Sequence, residues 1–209
     1  SALGVGDQFQ FSLNKTSGQT FGRVGMSVPV GADGLRAAVS VSDLGYAYDQ
    51  NATRYDGAAR VAGGSLTYPL VRAARRSVTA SVNLDHKRFD NAVADVSISS
   101  KTVAVATASL NGEWLDEWWG GGVLQAGLTL VGGRLDLSGN AADLASDQIA
   151  NGPTRQGHFS RVQWSLTRLQ RITAADTLAL VATGQQTPDN LDSSEKFLAT
   201  GPYGVRAYS

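Results

Sequence analysis

The stretch Val78-Thr-Ala-Ser-Val-Asn-Leu-Asp85 alternates strictly between apolar and polar residues. Its even-numbered members are valine, alanine or leucine, and its odd-numbered members are threonine, serine, asparagine or aspartate. Successive side chains of a β-strand point to opposite faces of the sheet. The stretch therefore predicts a strand with one apolar and one polar face.

The same period of two recurs on both sides of this strand and predicts an all-β chain of about nine strands. In the third strand the apolar phase shifts by one residue between Val41 and Leu44, which predicts a bulge or an end outside the apolar layer. The sixth strand has small residues on both faces, so its faces stay unassigned. The predicted strands cover residues 7–14, 21–30, 35–48, 58–70, 78–85, 101–112, 123–137, 161–167 and 177–186.

The connections between these strands differ in predicted length. Residues 31–34, 71–76 and 170–176 form short turns, whereas residues 49–57, 138–157 and those after 186 form longer loops. A further loop is predicted at 90–98, and the connection at 113–122 is intermediate. Consecutive hairpins place every second connection at the same end of a sheet. One compact end and one end with long loops are typical of an antiparallel up-and-down transmembrane β-barrel.

A soluble β-sandwich that binds a ligand through its long loops is the alternative, because its strands alternate in the same way. The barrel is favoured by the length of the strands, since sandwich strands usually have about 5–6 residues. It is also favoured by Trp114, Trp118 and Trp119 at a strand boundary, where interfacial aromatic residues lie; a loop cluster packed on a core is the other interpretation of these tryptophans. The predicted polar face is mostly uncharged, which is compatible with a water-filled lumen. The lumen-facing candidates are Gln8, Gln10, Arg23, Asn83, Gln125, Arg161 and Gln163.

The composition gives no indication of nucleic-acid binding or of catalysis. Lys plus Arg and Asp plus Glu both number 18, so no net charge attracts a nucleic acid. There is no cysteine, and His86 and His158 are the two histidines, so no zinc site, no other metal site and no cofactor are expected. Asp85-His-Lys-Arg88 is interpreted as the polar end of a strand, and both histidines are expected toward the extracellular strand ends. We expect no enzyme.

The C-terminal segment carries a more specific signal. It comprises Asn190-Leu-Asp-Ser-Ser-Glu-Lys-Phe197 and Gly201-Pro-Tyr-Gly-Val-Arg-Ala-Tyr208. This segment resembles the hallmark loop of two-partner-secretion outer-membrane translocators of the TpsB type, the haemolysin secretion and activation proteins. Weaker similarities to the same family occur at residues 66–70, 84–88, 132–137, 157–159 and 166–170.

The resemblance implies a sixteen-stranded barrel preceded by two periplasmic domains, of which residues 1–209 are a partial barrel with the third to the eleventh strand. Residues 187–209 would begin the hallmark loop, which folds back into the barrel. Arg206 would be its inward-reaching cation, paired with an aspartate beyond this chain. Ala207 stands where family members commonly have glycine, and it disfavours positive φ at the tip. The motif residues are Gly201, Pro202, Gly204, Val205, Arg206 and Tyr208.

The resemblance also implies a function. A barrel in the bacterial outer membrane, monomeric when complete, would export an unfolded partner protein of the haemolysin or adhesin type without ATP. A related alternative is a barrel that inserts other proteins into the outer membrane. The chain does not begin with Met and is expected to be a fragment or a processed form. As a fragment, its nine strands are expected to form an open, curved antiparallel sheet with two unpaired edges.

Overall fold

Nine antiparallel strands form one sheet in chain order, and each strand is hydrogen-bonded to the next strand along the chain. The computed structural model describes residues 6–196, so the motif residues Gly201 to Tyr208 lie outside the described residues. Within 6–196 the first and last strands do not pair with each other. The expected open nine-stranded sheet is confirmed. The sandwich alternative is wrong, because the strands form one sheet and not two packed sheets.

The elements follow each other in simple hairpin order. The strands are β1 Gln8–Lys15, β2 Gln19–Val30, β3 Leu35–Gln50, β4 Thr53–Ala73, β5 Arg76–Val93, β6 Val96–Asp116, β7 Gly122–Asp136, β8 Gly157–Arg171 and β9 Thr177–Gln186. One helix, α1 Ala141–Gln148, lies between β7 and β8. We call the end of the sheet with α1 the helix end and the opposite end the turn end. Within residues 6–196 no helix is long and apolar enough to cross a membrane.

Two of the predicted loops are wrong. Strands β3 and β4 continue through residues 49–57 and meet at Asn51–Ala52, and β5 and β6 meet at Ala94–Asp95. All four turn residues have positive φ, between 48° and 62°. Positive φ at both central residues belongs to type I′ turns, whose twist matches that of paired strands. The helix end is therefore extended by two long hairpins, and the polar residues of 49–57 and 90–98 lie mostly on strands and not in loops.

Of the two explanations predicted for the phase shift between Val41 and Leu44, the bulge is wrong, because β3 pairs with both neighbours without a register shift there. The other explanation, an end outside the apolar layer, is confirmed. The apolar face simply ends at this level. Asp43 lies directly opposite Arg60 on that face and forms an ion pair with it at 2.7 Å. Beyond this level the apolar residues Leu44 and Tyr46 belong to the other face. The register shift in β4 occurs instead between Pro69 and Val71, next to a proline that lacks a backbone donor.

The register separates two faces of the sheet along every strand. The apolar face carries Phe9, Val39 and Leu84, which are 71%, 64% and 61% exposed. The polar face carries the residues between them in sequence, such as Gln10 and Asn83. A continuous exposed apolar surface of this kind is unfavourable in water and is the surface that a transmembrane barrel presents to lipid.

Two tryptophan side chains are exposed at the turn end. Trp118 and Trp119 are 76% and 86% exposed, so they are not a loop cluster packed on a core. The side-chain amide of Gln170 donates to the carbonyls of Trp118 and Trp119 at 2.9 and 3.1 Å and holds their turn against β8. Exposed tryptophans at a strand boundary fit the level of a membrane interface.

The assignment of the two faces can be tested with neighbouring residues of β5. We expect a fluorophore on Leu84→Cys to be quenched strongly by brominated lipid acyl chains in the full-length protein, because Leu84 lies on the apolar face. A fluorophore on Asn83→Cys serves as the matched control and is expected to respond to a water-soluble quencher. Stronger lipid quenching at residue 83 than at residue 84 would reverse the assignment.

Candidate functional site

The polar face is covered at the helix end by the β7–β8 connection and by residues 187–196. A buried apolar cluster lies beneath this cover, with members from β6, β7, β8 and both covering segments. The expectation of a polar, mostly uncharged face is therefore wrong at this end. Strand β6 has small residues on both faces, so the sequence did not indicate which of its faces packs against the cover. The buried members are Val103, Val105, Val131, Leu135, Leu137, Phe159 and Leu191.

Two buried carboxylates attach residues 187–196 to the strands. The Glu195 carboxylate accepts from Lys87 Nζ at 2.8 Å and lies 3.0 Å from an Arg161 guanidinium nitrogen. Arg161 also donates to the backbone carbonyl of Glu195. The Glu195 side chain is 1% exposed, so both of its pairings are shielded from water.

The second carboxylate, that of Asp192, lies three residues earlier and is equally enclosed. It accepts from Lys101 Nζ at 2.5 Å and from an Arg155 guanidinium nitrogen at 3.2 Å. The backbone and hydroxyl of Ser194 donate to it at 3.0 and 2.8 Å, so Asp192 also caps the short 3₁₀ turn Ser193–Glu195. We call Lys87, Lys101, Arg155, Arg161, Asp192 and Glu195 the anchor cluster.

The pKa of Asp192 reflects two opposing influences. Burial of the carboxyl raises its pKa, whereas the hydrogen bonds from Lys101 and Ser194 lower it, and the net result is a pKa of about 2 instead of 3.8. Asp192 is therefore ionised at every physiological pH. Its contribution to docking of the segment is complete above about pH 4 and is lost as the pH falls toward 2.

Arg155 joins the two covering segments to each other. Besides its contact with Asp192, its Nε donates to Asp147 at 2.9 Å. Asp147 is fully buried and accepts from the backbone N–H groups of Arg155 and Gln156 at 3.0 and 2.9 Å. These bonds outweigh burial and lower the pKa of Asp147. The carboxylate thus closes the loop that follows α1.

Helix α1 is itself fastened to the sheet. Its first residue follows Asn140, whose side-chain oxygen accepts from the backbone of Ala142 and Asp143 at 3.0 Å and caps the helix. The Asp143 carboxylate accepts from the Ser99 hydroxyl at 2.6 Å. The cover over the polar face therefore consists of two segments that are bonded to the strands and to each other.

The seven residues predicted to face a lumen all lie on the polar face. Four of them, Gln8, Gln10, Arg23 and Asn83, line one cleft of about 550 Å³ across β1 to β5. The other three make separate contacts: Arg161 belongs to the anchor cluster, Gln125 donates to Glu113 at 2.8 Å and Gln163 donates to Gln185 at 2.9 Å. That this face lines a translocation lumen stays a prediction.

The sequence interpretation missed the other members of the anchor cluster. Asp192 and Glu195 were visible as two acidic residues flanking two serines, the composition of a helix-capping turn. Their partners Lys101 and Lys87 are 91 and 108 residues away, so nothing local indicated the pairs. Within residues 6–196 no group of three histidine, aspartate or glutamate side chains could hold a metal ion.

Substitution Asp192→Asn tests the strength of the anchor cluster. It removes the negative charge opposite Lys101 and Arg155, and we expect a loss of about 3–5 kcal/mol in the free energy that docks the segment. Urea unfolding of the full-length protein in detergent, combined with hydrogen exchange of residues 187–196, measures the loss. The matched control is Asp43→Asn, whose pair with Arg60 is 59% and 73% exposed and contributes about 1 kcal/mol or less. Equal losses from both substitutions would contradict a buried anchor.

The lowered pKa of Asp192 predicts how docking depends on pH. A polarity-sensitive fluorophore on the exposed Ser193 is expected to report an unchanged docked segment from pH 8 to about pH 4 and undocking between about pH 4 and 2. Asp192→Asn is expected to remove that acid transition. An undocking midpoint near neutral pH would show that another group controls the segment.

Comparisons with known proteins agree with this architecture. Residues 1–209 match the family of haemolysin secretion/activation proteins ShlB/FhaC/HecB. CdiB from Escherichia coli superposes with a TM-score of 0.68 at 20% identity, over 90% of this chain and 34% of that chain. CdiB from Acinetobacter baumannii superposes with a TM-score of 0.64 at 15% identity, over 90% of this chain and 32% of that chain.

At these identities the two structures show a shared fold, and the chain spans about a third of their length. No protein of curated function matches the chain. The matched family is one of secretion and activation proteins and not a class of enzymes. The chain belongs to the haemolysin secretion/activation protein family ShlB/FhaC/HecB, whose members are outer-membrane β-barrel proteins of bacteria.

Proposed function

We propose that the complete protein exports a secreted partner polypeptide through the lumen of an outer-membrane barrel, and that the anchor cluster holds this lumen closed. The observation that carries the proposal is the position of residues 187–196 on the polar face, where Asp192 and Glu195 pair with cations of β5, β6 and β8. A polypeptide that passes along this face must first displace the segment.

The strength of the anchor cluster suits a closure that opens only on demand. With the segment docked, the side chains of Lys101 and Arg161 are 11% and 13% exposed. Undocking of the segment would remove the carboxylates of Asp192 and Glu195 from these cations. An uncompensated charge in a poorly hydrated place costs several kcal/mol. The closed arrangement is therefore the resting one, and the open one requires water or the passing chain to solvate these cations.

The finer features of the proposal come from the family resemblance. The exported partner is an exoprotein of the haemolysin or adhesin type, unfolded during transit, and the sequence contains no Gly-Lys-Ser/Thr nucleotide loop that would supply energy from ATP. Residues 187–209 begin the hallmark loop, with Gly201, Pro202 and Gly204 in its turns, Arg206 reaching inward between Val205 and Tyr208, and its acceptor beyond this chain. The complete barrel acts as a monomer at the outer membrane.

Substitution Glu195→Gln tests the closure directly. It leaves Lys87 and Arg161 without a counter-charge, and a cost of about 3–5 kcal/mol shifts the docked-to-undocked ratio by about a hundredfold or more. We expect the full-length variant to show a correspondingly higher open probability in planar-bilayer recordings. The control Glu113→Gln removes a carboxylate that Gln125 contacts on the same face, outside the anchor cluster, and is expected to leave the currents unchanged.

The export activity itself is tested in cells. Deletion of the gene is expected to abolish the appearance of one secreted protein in the medium while other outer-membrane barrels assemble normally. Depletion of many outer-membrane barrels would instead indicate the insertion function. The proposal would be overturned if the full-length protein showed no conductance and its deletion caused no secretion defect.

A further inference from the structure

Three side chains that can donate to an anion lie in one row on the apolar face at the helix end. His86, Arg134 and His158 occupy positions of β5, β7 and β8 that the register places at one level. With strands about 4.8 Å apart, the row spans about 15 Å. From β3 to β8 its members are Val41, Ala62, His86, Ala104, Arg134 and His158.

The charges of the neighbouring row are neutralised within the protein. One residue pair further toward the helix end, Arg60 pairs with Asp43 at 2.7 Å and Arg88 pairs with Asp90 at 2.9 Å. In contrast, the side chains of His86, Arg134 and His158 form no hydrogen bond or ion pair with any residue of the described range 6–196. The row therefore carries donors and a permanent positive charge that the described part of the chain leaves available.

The carboxylate of Asp136, two residues after Arg134 on the same strand, is not a bonded partner of Arg134. Asp136 accepts from the Ser138 backbone at 3.0 Å and from the Gln156 amide at 3.3 Å, which directs it toward the β7–β8 connection. Asp136 and Arg134 interact electrostatically, but no hydrogen bond or ion pair joins their side chains. Among residues 6–196, no carboxylate is bonded to Arg134, so its guanidinium can bind an external anion.

An open cleft of about 660 Å³ adjoins this row. Its wall is Leu84 on β5, and its floor consists of Ala104, Ala106 and Gly132, whose side chains are too short to fill the surface. A Cβ atom placed on Gly132 would meet no atom within 4 Å. The cleft is thus apolar below, bordered by His86, Arg134 and His158, and open to the lipid side of the sheet.

We propose that this cleft binds a phosphorylated glycolipid of the outer leaflet, with an acyl chain against the alanines, one phosphate on Arg134 and His158, and a second phosphate on His86. A guanidinium binds phosphate in a bidentate manner, and an imidazole donates from its ring N–H. The row lies where the apolar face becomes polar, which is the level of a lipid headgroup. The choice of leaflet rests on the proposed function, because residues 187–196 at the helix end begin the hallmark loop, which the family resemblance places on the extracellular side.

Binding of purified bis-phosphorylated lipid A to the full-length protein in detergent tests the site, with native mass spectrometry as the measurement. A cation near a lipid surface contributes a factor of about five in affinity, so Arg134→Gln is expected to weaken binding about fivefold. Combined replacement of His86, Arg134 and His158 by glutamine is expected to weaken it by more than about twentyfold. Arg60→Gln is the matched control, since Arg60 lies on the same face with its own carboxylate, and it should change binding by less than about twofold.

Three further comparisons separate the contributions. Gly132→Leu fills the cleft without changing charge and is expected to reduce lipid A binding, and lipid A without phosphates is expected to bind more weakly. Inorganic phosphate alone is expected not to compete.

Equal effects of Arg60→Gln and Arg134→Gln, or equal binding of phosphatidylglycerol and lipid A, would overturn the proposal. The bilayer currents of Glu195→Gln do not depend on this outcome, so failure of the lipid site and failure of the export proposal are distinguishable.

Discussion

A carboxylate that leaves water requires a cation, and this requirement organises the helix end of the protein. Asp192 and Glu195 are almost fully enclosed, and both are placed against cations from strands β5, β6 and β8. The attraction between an isolated surface pair would be small. Here the apolar cluster around Val103 and Leu135 excludes water, so the same pairs hold a whole segment in a defined place.

The two faces of the sheet meet opposite demands with one set of strands. Lipid requires every backbone group to be bonded, which the hairpin ladder provides for the strands between the two edge strands β1 and β9. It also requires apolar side chains on the side that faces it. The polar face has no such restriction, and it can carry charges, glutamines and a folded cover. The apolar face ends at the level of Asp43 and Arg60, but the strands continue beyond it. Residues beyond that level must fit a paired hairpin, and they need not be apolar because they do not face lipid.

The sequence predicted the fold well and the candidate site poorly, and particular residues show why. The alternation in residues 78–85 is a local signal, and so is the phase of Gln8, Gln10 and Arg23, which all lie on the expected face. The loops predicted at 49–57 and 90–98 failed because polar composition above the apolar band does not distinguish a loop from an extended hairpin. The hallmark motif at 201–208 lies outside the described residues and remains a prediction.

The sequence by itself determined which side chains share a face, because a period of two follows from backbone geometry alone. It also determined family membership, through motifs that need no coordinates. Only the tertiary structure decided which charges meet, because Lys87 and Glu195 are 108 residues apart and their pairing depends on where a connecting segment folds back. It likewise decided that Arg60 pairs with Asp43, whereas Arg134 has no bonded partner among residues 6–196. Strand register, which the local pattern does not specify, places Arg60 beside a carboxylate and Arg134 beside an alanine.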